Sequence, residues 1–230
     1  GTPEIRALEA EQAMKIIGAN FRENLKMSDS FVDLSKESIY KVVKAIRTHQ
    51  PKIILCNAVK DRHPEHGVAS KLVSKACFIS GLRKYESSLD GETQKPHVPQ
   101  NVYHYIQDQW IDPDFIVDIS EEIDQKIKAV KAFESQFYDP KSKEPTTPIS
   151  TKDFMDSILS KANLLGRSIG ESFGEGDVDL GVETDVADAK GGDDDGMSPV
   201  NQGKRGSGGS RGRRSEGNED DGIPSGSEEE

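Results

Sequence analysis

The amino-acid sequence predicts an α/β domain built on a mainly parallel sheet, followed by an acidic tail. Short apolar runs of strand length alternate with longer stretches of helical periodicity. A polar loop with two histidines follows one such run, where the carboxyl edge of a parallel sheet commonly binds ligands. Residues 171–230 differ from the rest of the chain in composition, which separates a folded part from a tail.

The charge of the chain is concentrated near its C-terminus. Residues 171–230 contain 17 Asp or Glu and 6 Lys or Arg, a difference that equals the whole net charge of −11. They also hold 14 of the 21 glycines and a single aromatic residue, Phe173. Such a segment buries too little apolar surface to offset the entropy of ordering. We therefore predict a domain over residues 1–170 and a disordered, acidic, glycine- and serine-rich tail over 171–230.

Composition also argues against several classes of partner. Residues 1–170 carry 24 basic and 24 acidic side chains with no basic face, so neither they nor the arginines at 205–214, flanked by acidic blocks, predict nucleic-acid binding. No apolar run approaches the roughly 20 residues that span a bilayer, so we expect no membrane partner. Cys56 and Cys77 lie in apolar runs and are predicted to be buried thiols, as in a reducing, cytoplasmic compartment.

The first elements are two helices around a short strand. Thr2 and Pro3 favour a helix start and Gly18 a helix end, with an apolar side formed by Ile5, Leu8, Ala13, Ile16 and Ile17. Residues 21–25 predict a short strand. Ser35 is suited to cap a second helix, whose core face carries Ile39, Val42, Val43 and Ile46.

The following elements alternate strand and helix. An apolar run predicts a strand over 52–57, and helical periodicity predicts a third helix from about 66 to 79. Residues 82–100 are predicted to be a loop because of their glycine and prolines. Strands are expected at 101–107 and 115–118, a long helix at about 120–137, and a last helix from the Thr151 cap to about 169.

The loop at residues 61–67, Asp-Arg-His-Pro-Glu-His-Gly, concentrates polar chemistry. Pro64 biases His63 to an extended backbone and suits the first turn of a helix, so both rings are expected to face one pocket. One of the two rings then becomes a candidate metal ligand and the other a candidate proton carrier, with Glu65 fixing a ring tautomer and Arg62 binding an anion. The alternative is two surface histidines in a polar loop.

Other candidates are weaker. Arg6 in the first helical turn can bind a carboxylate or phosphate, although it is also compatible with a plain surface position. Tyr138 can reach a pocket from the end of the fourth helix. Two histidines do not complete a catalytic zinc site, which normally takes three protein ligands. His49, His97 and His104 do not lie in comparable settings.

Several segments together resemble a known family. They are Gly-Thr-Pro-Glu-Ile-Arg at 1–6, Asp-Arg-His-Pro-Glu-His-Gly at 61–67, Ala-Cys-Phe-Ile-Ser-Gly-Leu-Arg-Lys at 76–84, Tyr-His-Tyr-Ile-Gln-Asp at 103–108 and Ser-Gln-Phe-Tyr-Asp-Pro at 135–140. The chain thereby resembles the LmbE/PIG-L family of zinc-dependent N-deacetylases over about residues 1–176. The likeness is strongest to its bacillithiol-biosynthesis branch, which deacetylates N-acetylglucosaminyl-malate.

The resemblance implies a Rossmann-like fold, one zinc ion per subunit and a homo-oligomer, with hexamers known among relatives. It implies that His66 binds the metal and that His63 stabilises the oxyanion or protonates the leaving amine. It further implies that Glu65, where the family usually has aspartate, orients His63. Arg6 matches a substrate-pocket arginine, and Arg62 is expected to help Arg6 bind the carboxylates of malate.

One departure separates two functional hypotheses. The family motif Ala-His-Pro-Asp-Asp, which follows the first strand and supplies two metal ligands and the general base, would fall upstream of Gly1. We therefore expect the first strand to be missing and this chain alone to be an inactive fragment of a deacetylase. The alternative is a degenerate, non-catalytic relative that acts as a binding module. An upstream reading frame that encodes the motif would favour the enzyme.

Overall fold

The computed structural model describes residues 1–141 and 145–181. Its helices and strands alternate along the chain, as the class predicted. The helices are α1 (Pro3–Ile17), α2 (Lys36–His49), α3 (Pro64–Ser80), α4 (Ile123–Lys131) and α5 (Lys152–Ile169). The strands are β1 (Ile53–Cys56), β2 (Ser88–Leu89), β3 (Glu92–Thr93), β4 (Asn101–Tyr105), β5 (Phe115–Asp118) and β6 (Gly174–Asp179).

Four strands form the main sheet in the order β1-β4-β6-β5. β1 pairs with β4 in parallel, with Cys56 opposite His104. β6 lies antiparallel to both β4 and β5, so β1, β4 and β5 all run in one direction. The mixed α/β class with mainly parallel strands is therefore confirmed. The antiparallel strand β6 was not predicted.

The core lies between this sheet and the helices α2 and α3. α2 packs its buried stripe on α3, and the residues of this stripe are those that the apolar spacing predicted. The buried core residues are Ile39, Val42, Val43, Ile46, Cys56, Leu72, Ala76, Cys77 and Val102. Both cysteines are buried and unpaired, as predicted. This packing holds α3 in place and thereby positions the loop that precedes it.

Side-chain caps decide where three helices begin. The hydroxyls of Thr2, Ser35 and Thr151 accept backbone N–H groups of Ile5, Ser38 and Phe154, which have no partner within their own helices. Gly18 ends α1 in the left-handed conformation, at φ 73°. These boundaries agree with the sequence prediction because capping involves only residues close in the chain.

Several predicted elements were wrong. Residues 21–25 form no strand, and the Phe21 ring stacks instead on His49 with centroids 4.1 Å apart. The predicted helix over 120–137 is regular only as α4 and then continues as turns. The loop at 82–100 contains the hairpin β2–β3. Such short segments depend on partners that are distant in sequence.

The predicted apolar side of α1 is only partly buried. The helix packs on α4 through Glu9, Ala10 and Ala13. Leu8 and Ile17, predicted to face the core, are 67% and 57% exposed. The periodic pattern therefore located the helix correctly but misjudged which surface it buries here.

The predicted domain boundary at residue 170 lies too early. β6 occupies a central position in the sheet, although the sequence analysis assigned its residues to the tail. Residues 182–230 lie outside the described residues, so the disorder predicted for them remains a prediction. Across the part of the chain that the structure describes, no helix is long and apolar enough to cross a membrane.

Candidate active site

The histidine loop joins the carboxyl end of β1 to the start of α3. His63 caps the helix from an extended backbone, at φ −81° and ψ 122°, and Pro64 occupies the first helical position. The His63 Nδ1 accepts the N–H of Glu65 at 3.3 Å. The helix begins two residues earlier than predicted because His63 serves as its cap, and this fixes the direction of the loop.

The rings of His63 and His66 lie side by side. Their centroids are 5.0 Å apart and their planes differ by 29°. Both line a cavity of about 620 Å³ at the carboxyl edge of the parallel strands, next to Tyr105 and Asp108 from the end of β4. The prediction that the two rings share one cavity is therefore confirmed.

Asp61 contacts His66 from the interior of the loop. Its Oδ2 lies 2.5 Å from the Nδ1 of His66, and its side chain is 0% exposed. Its Oδ1 accepts the N–H groups of Asp108, at 3.0 Å, and Gln109, at 2.6 Å. Burial raises the pKa of this carboxyl, but the Gln109 N–H and the His66 ring lower the pKa further, to below its ordinary value.

Glu65 does not orient a histidine ring as expected. Its Oε1 accepts the N–H of Val32 at 2.9 Å, so the side chain ties α3 to the segment before α2. The expected carboxylate–imidazole pair exists, but it joins Asp61 to His66. The sequence analysis noted Asp61 only as a neighbour because a partner five residues away across a loop has no periodic signal.

Arg62 and the remaining predicted residues line two adjoining cavities. Arg62 and His63 border both the first cavity and a second one of about 700 Å³. Arg6 and Tyr138 line the second cavity only. Arg62 also forms an ion pair with Asp108, Nε to Oδ2, at 2.5 Å. The structure thus brings all six predicted site residues to one continuous region, with Arg6 and Tyr138 on its far side.

Two lysines of the first cavity were missed by the sequence analysis. Lys126 forms an ion pair with Glu175 at 2.6 Å. Lys161 donates to the carbonyls of Gln107 and Asp108, and burial lowers its pKa. Neither lysine has a local sequence signal, because α4, α5 and β6 bring them to the cavity from outside the histidine loop.

The close packing of α5 on β6 forms one wall of the first cavity. A Cβ on Gly166 would lie 2.5 Å from the backbone nitrogen of Phe173, so only glycine permits this approach. Phe154, Ile158 and Leu165 supply the apolar part of this wall, and Phe137 stacks on Phe154 with centroids 6.0 Å apart. The cavity therefore combines apolar side chains with the polar histidine loop and the two lysines.

The described residues supply only part of a metal site. His66 resembles a metal-ligating histidine in that its Nδ1 contacts a carboxylate. Within residues 1–141 and 145–181, however, no three His, Cys, Asp or Glu side chains come together as a metal site. The described residues therefore do not form a zinc site by themselves.

The chain is similar in sequence and structure to several known proteins. Residues 1–77, which include the histidine loop, match the sequence model described as PIG-L: GlcNAc-PI de-N-acetylase. The conserved protein TT1542 of Thermus thermophilus is 30% identical, with 79% of this chain and 76% of that chain covered and a TM-score of 0.67. The first third of the chain therefore resembles the PIG-L family. TT1542 also shows that the similarity extends over most of the α/β domain.

Two further relatives bear on function. Diacetylchitobiose deacetylase of Thermococcus kodakarensis is 30% identical over 137 residues, which cover 58% of this chain and 50% of that enzyme. The chain thus spans about half the length of that curated relative. The 4-carboxy-2-hydroxymuconate hydratase GalB of Pseudomonas putida KT2440 shares the fold, with 21% identity, a TM-score of 0.60 and coverage of 77% and 71%. The fold alone therefore does not decide the reaction.

Proposed function

We propose that the protein containing this chain hydrolyses the N-acetyl group of an amino-sugar conjugate. N-acetylglucosaminyl-malate, in bacillithiol biosynthesis, is the substrate that the sequence resemblance favours. The observation that carries the proposal is the pair of His63 and His66 rings, 5.0 Å apart on one cavity. The match of residues 1–77 to the PIG-L: GlcNAc-PI de-N-acetylase model supports the reaction class, as does the name of the Thermococcus kodakarensis relative.

The two rings offer opposite hydrogen-bonding characters to a ligand. The His63 Nδ1 accepts a backbone N–H, so in the neutral ring the proton lies on Nε2. The His66 Nδ1 faces a carboxylate and donates to it, so its Nε2 carries a lone pair. His63 can therefore donate to an acetamide oxygen or to a leaving amine, while His66 binds an electrophile. This division matches the roles that the family resemblance implies.

The cationic side chains suit an anionic substituent on the sugar. Arg62 lies at the junction of the two cavities, and Arg6 lines the second cavity together with Tyr138. A guanidinium binds a carboxylate through two parallel hydrogen bonds. We propose that the acetamide lies at the histidine pair and the malate carboxylates point toward Arg62 and Arg6. Arg62 would then exchange some of its contact with Asp108 for the substrate.

We propose zinc as the metal of the complete site, with His66 as one ligand and the others from outside the described residues. The open edge of β1 supports this. Among the described strands β1 pairs only with β4, and Ile53 and Leu55 are 55% and 63% exposed. A parallel strand added beside β1 would pair with its free backbone N–H and C=O groups and end next to the histidine loop.

Acetate release tests this function. A longer protein that includes the upstream coding sequence and this chain alone are each incubated with zinc and N-acetylglucosaminyl-malate. Diacetylchitobiose and GlcNAc-PI serve as comparison substrates. We expect the longer protein to release acetate from the malate conjugate fastest and this chain to release none. Activity of this chain alone would contradict the incomplete site, and inactivity of the longer protein on all three would contradict the function.

A non-catalytic binding module is the second candidate. It is favoured by the lack of a three-donor metal cluster among residues 1–141 and 145–181. The cavity with its histidines and arginines would then bind an amino-sugar conjugate without cleaving it. Equilibrium binding of N-acetylglucosaminyl-malate without acetate release, by the longer protein loaded with zinc, would favour this candidate.

We also propose that the protein is a cytoplasmic homo-oligomer, with a hexamer as the form that the resemblance suggests. The exposed apolar side chains of α1, above all Leu8 at 67%, offer a surface for association. The buried free thiols of Cys56 and Cys77 suit a reducing compartment. Light scattering of the longer protein after size-exclusion chromatography would give its mass, and a monomer would contradict the proposed assembly.

A further inference from the structure

Asp61 has the geometry of a device that selects one tautomer of His66. Its side chain is 0% exposed, and both of its oxygens are occupied. Oδ1 accepts two backbone N–H groups, from Asp108 and Gln109, and Oδ2 lies 2.5 Å from the His66 Nδ1. We infer that Asp61 is a positioning residue, which holds His66 with its proton on Nδ1 and leaves the Nε2 lone pair for a ligand in the cavity.

The two backbone N–H groups that Asp61 accepts determine which tautomer of His66 is favoured. A backbone N–H can only donate, so the atom at the Oδ1 position must be an acceptor. The carboxylate is therefore locked in orientation by the loop after β4, and Oδ2 presents an acceptor to the ring. A carboxylate that accepts from an imidazole N–H forms a charge-assisted hydrogen bond, roughly twice as strong as a neutral one. The alternative tautomer would place a nitrogen lone pair against a carboxylate oxygen.

This argument predicts an unusual effect for Asp61→Asn. The amide oxygen would remain with the N–H groups of Asp108 and Gln109, so the NH₂ group would face the His66 Nδ1. An NH₂ group can only donate, and the ring must then carry its proton on Nε2. A nearly isosteric change would thus remove the lone pair that binds the ligand. In an unrelated serine protease, the same change at a triad aspartate imposes the wrong tautomer on the histidine.

The inference rests on the proposed function only where it assigns a ligand to the Nε2 lone pair, because the tautomer does not depend on any reaction. It also changes which acidic residue is expected to orient a histidine in the loop. The sequence resemblance gave the orienting role to Glu65 acting on His63. In the structure Glu65 accepts the Val32 N–H, and the buried carboxylate of Asp61 contacts His66.

Long-range proton–nitrogen correlation spectra of the chain labelled with ¹⁵N-histidine test the inference. Spectra are recorded over a series of pH values, and the neutral form is assigned where the ring ¹⁵N shifts no longer change as the pH rises. His66→Gln identifies the His66 signals. We expect a pyrrole-type Nδ1 and a pyridine-type Nε2 in the wild type, with the Nδ1–H form in roughly ten-fold excess. In Asp61→Asn the two patterns should be exchanged.

Asp118→Asn is the matched control, because the Asp118 carboxylate also accepts a backbone N–H but lies at the end of the opposite edge strand, β5, and does not line the cavity. It should leave the His66 signals unchanged. A wild-type His66 with its proton on Nε2 would overturn the inference, even if Asp61→Asn failed to fold. An unchanged tautomer in a folded Asp61→Asn protein would also overturn it. Because no catalysis is measured, a failed deacetylase assay would leave this result standing.

A metal titration of the longer protein provides a second readout. If His66 is a ligand, Asp61→Asn should weaken zinc binding by about 10- to 100-fold, the range found when outer partners of ligating histidines are removed. Asp118→Asn should bind zinc like the wild type. Equal zinc affinity in the two variants, combined with an inverted tautomer, would show that Asp61 positions His66 and that His66 is not a ligand.

Discussion

Arg62 and Asp108 link the ends of two parallel strands. The Arg62 Nε lies 2.5 Å from the Asp108 Oδ2, and the two residues follow β1 and β4, which pair in parallel. Parallel strands end at the same edge of a sheet, so residues that are far apart in the chain meet there. The pair closes the rim of the cavity that His63 and His66 line.

The first prediction concerns substrate affinity. Arg62→Ala in the longer protein should raise KM for N-acetylglucosaminyl-malate about ten-fold, because a charge-assisted contact to a carboxylate is lost. The same variant should change the free energy of unfolding by less than about 1 kcal/mol, since the side chain is 46% exposed and exposed ion pairs contribute little. Steady-state kinetics and urea denaturation measure the two effects. A neutral substrate, diacetylchitobiose, should show no such rise in KM.

The second prediction concerns the proton donor. His63→Gln in the longer protein should lower kcat by about 10²- to 10⁴-fold, the usual loss when a general acid or base is removed. Zinc content should not change, because His66 and not His63 is the proposed ligand. The control is His49→Gln, a histidine that stacks on Phe21 away from the cavity. Equal activity of the two variants would contradict the role of His63.

The third prediction concerns a buried cation outside the site. The Arg47 guanidinium is 4% exposed and donates to the carbonyls of Ser80, Leu82 and Tyr85 and to the Ser87 hydroxyl. Arg47→Leu leaves these acceptors unsatisfied, so we expect a loss of about 3 kcal/mol in the free energy of unfolding.

Urea denaturation of Arg47→Leu, followed by circular dichroism, gives this value. Arg167→Leu on α5 serves as the control, because Arg167 is exposed and its removal should cost no more than about 0.5 kcal/mol. Similar losses in the two variants would show that Arg47 does not hold the end of α3 in place.

The fourth prediction reverses an ordinary helix rule. Glycine to alanine inside a helix normally stabilises it by about 1 kcal/mol. Gly166→Ala should instead destabilise the protein by about 1 to 3 kcal/mol, because the new Cβ would lie 2.5 Å from the Phe173 backbone. Ser160→Ala, on an exposed position of the same helix, should stabilise slightly. A gain in melting temperature for Gly166→Ala would contradict the close packing of α5 on β6.

The fifth prediction concerns pH. Burial raises the pKa of both Cys56 and Cys77 from 9.0 to about 12. Between these values the unfolded chain releases the thiol protons while the folded chain keeps them, so the free energy of unfolding should fall as the pH rises from 9 toward 12. At pH 8 iodoacetamide should label neither thiol unless urea is added, as mass spectrometry would show. Rapid labelling of the native protein would contradict the burial.

Local features of the fold were predictable from the chain. Thr2, Ser35 and Thr151 marked three helix starts, because a capping side chain and the N–H group that it accepts are only three residues apart. The strand–histidine loop–helix order placed His63 and His66 on one cavity, because Pro64 restricts the backbone between them. The amphipathic spacing of α2 correctly predicted its buried face.

Features that depend on distant partners were not predictable. β6 was assigned to the tail because its residues, Gly-Glu-Gly-Asp-Val-Asp, are not typical of a strand, and only pairing with β4 and β5 makes them one. Glu65 was expected to contact a neighbouring histidine, but it binds Val32, which lies 33 residues earlier in the chain. Such choices are made by packing, which a single sequence does not display.

The chain alone thus determined the α/β class, the helix boundaries set by caps and the histidine pair, since these follow from interactions within a few residues. The tertiary structure decided that β6 enters the sheet and that Asp61, held by the N–H groups of Asp108 and Gln109, serves His66. The reason is physical: a carboxylate takes the strongest donors that the fold brings within reach, and those donors come from a strand end about 47 residues away.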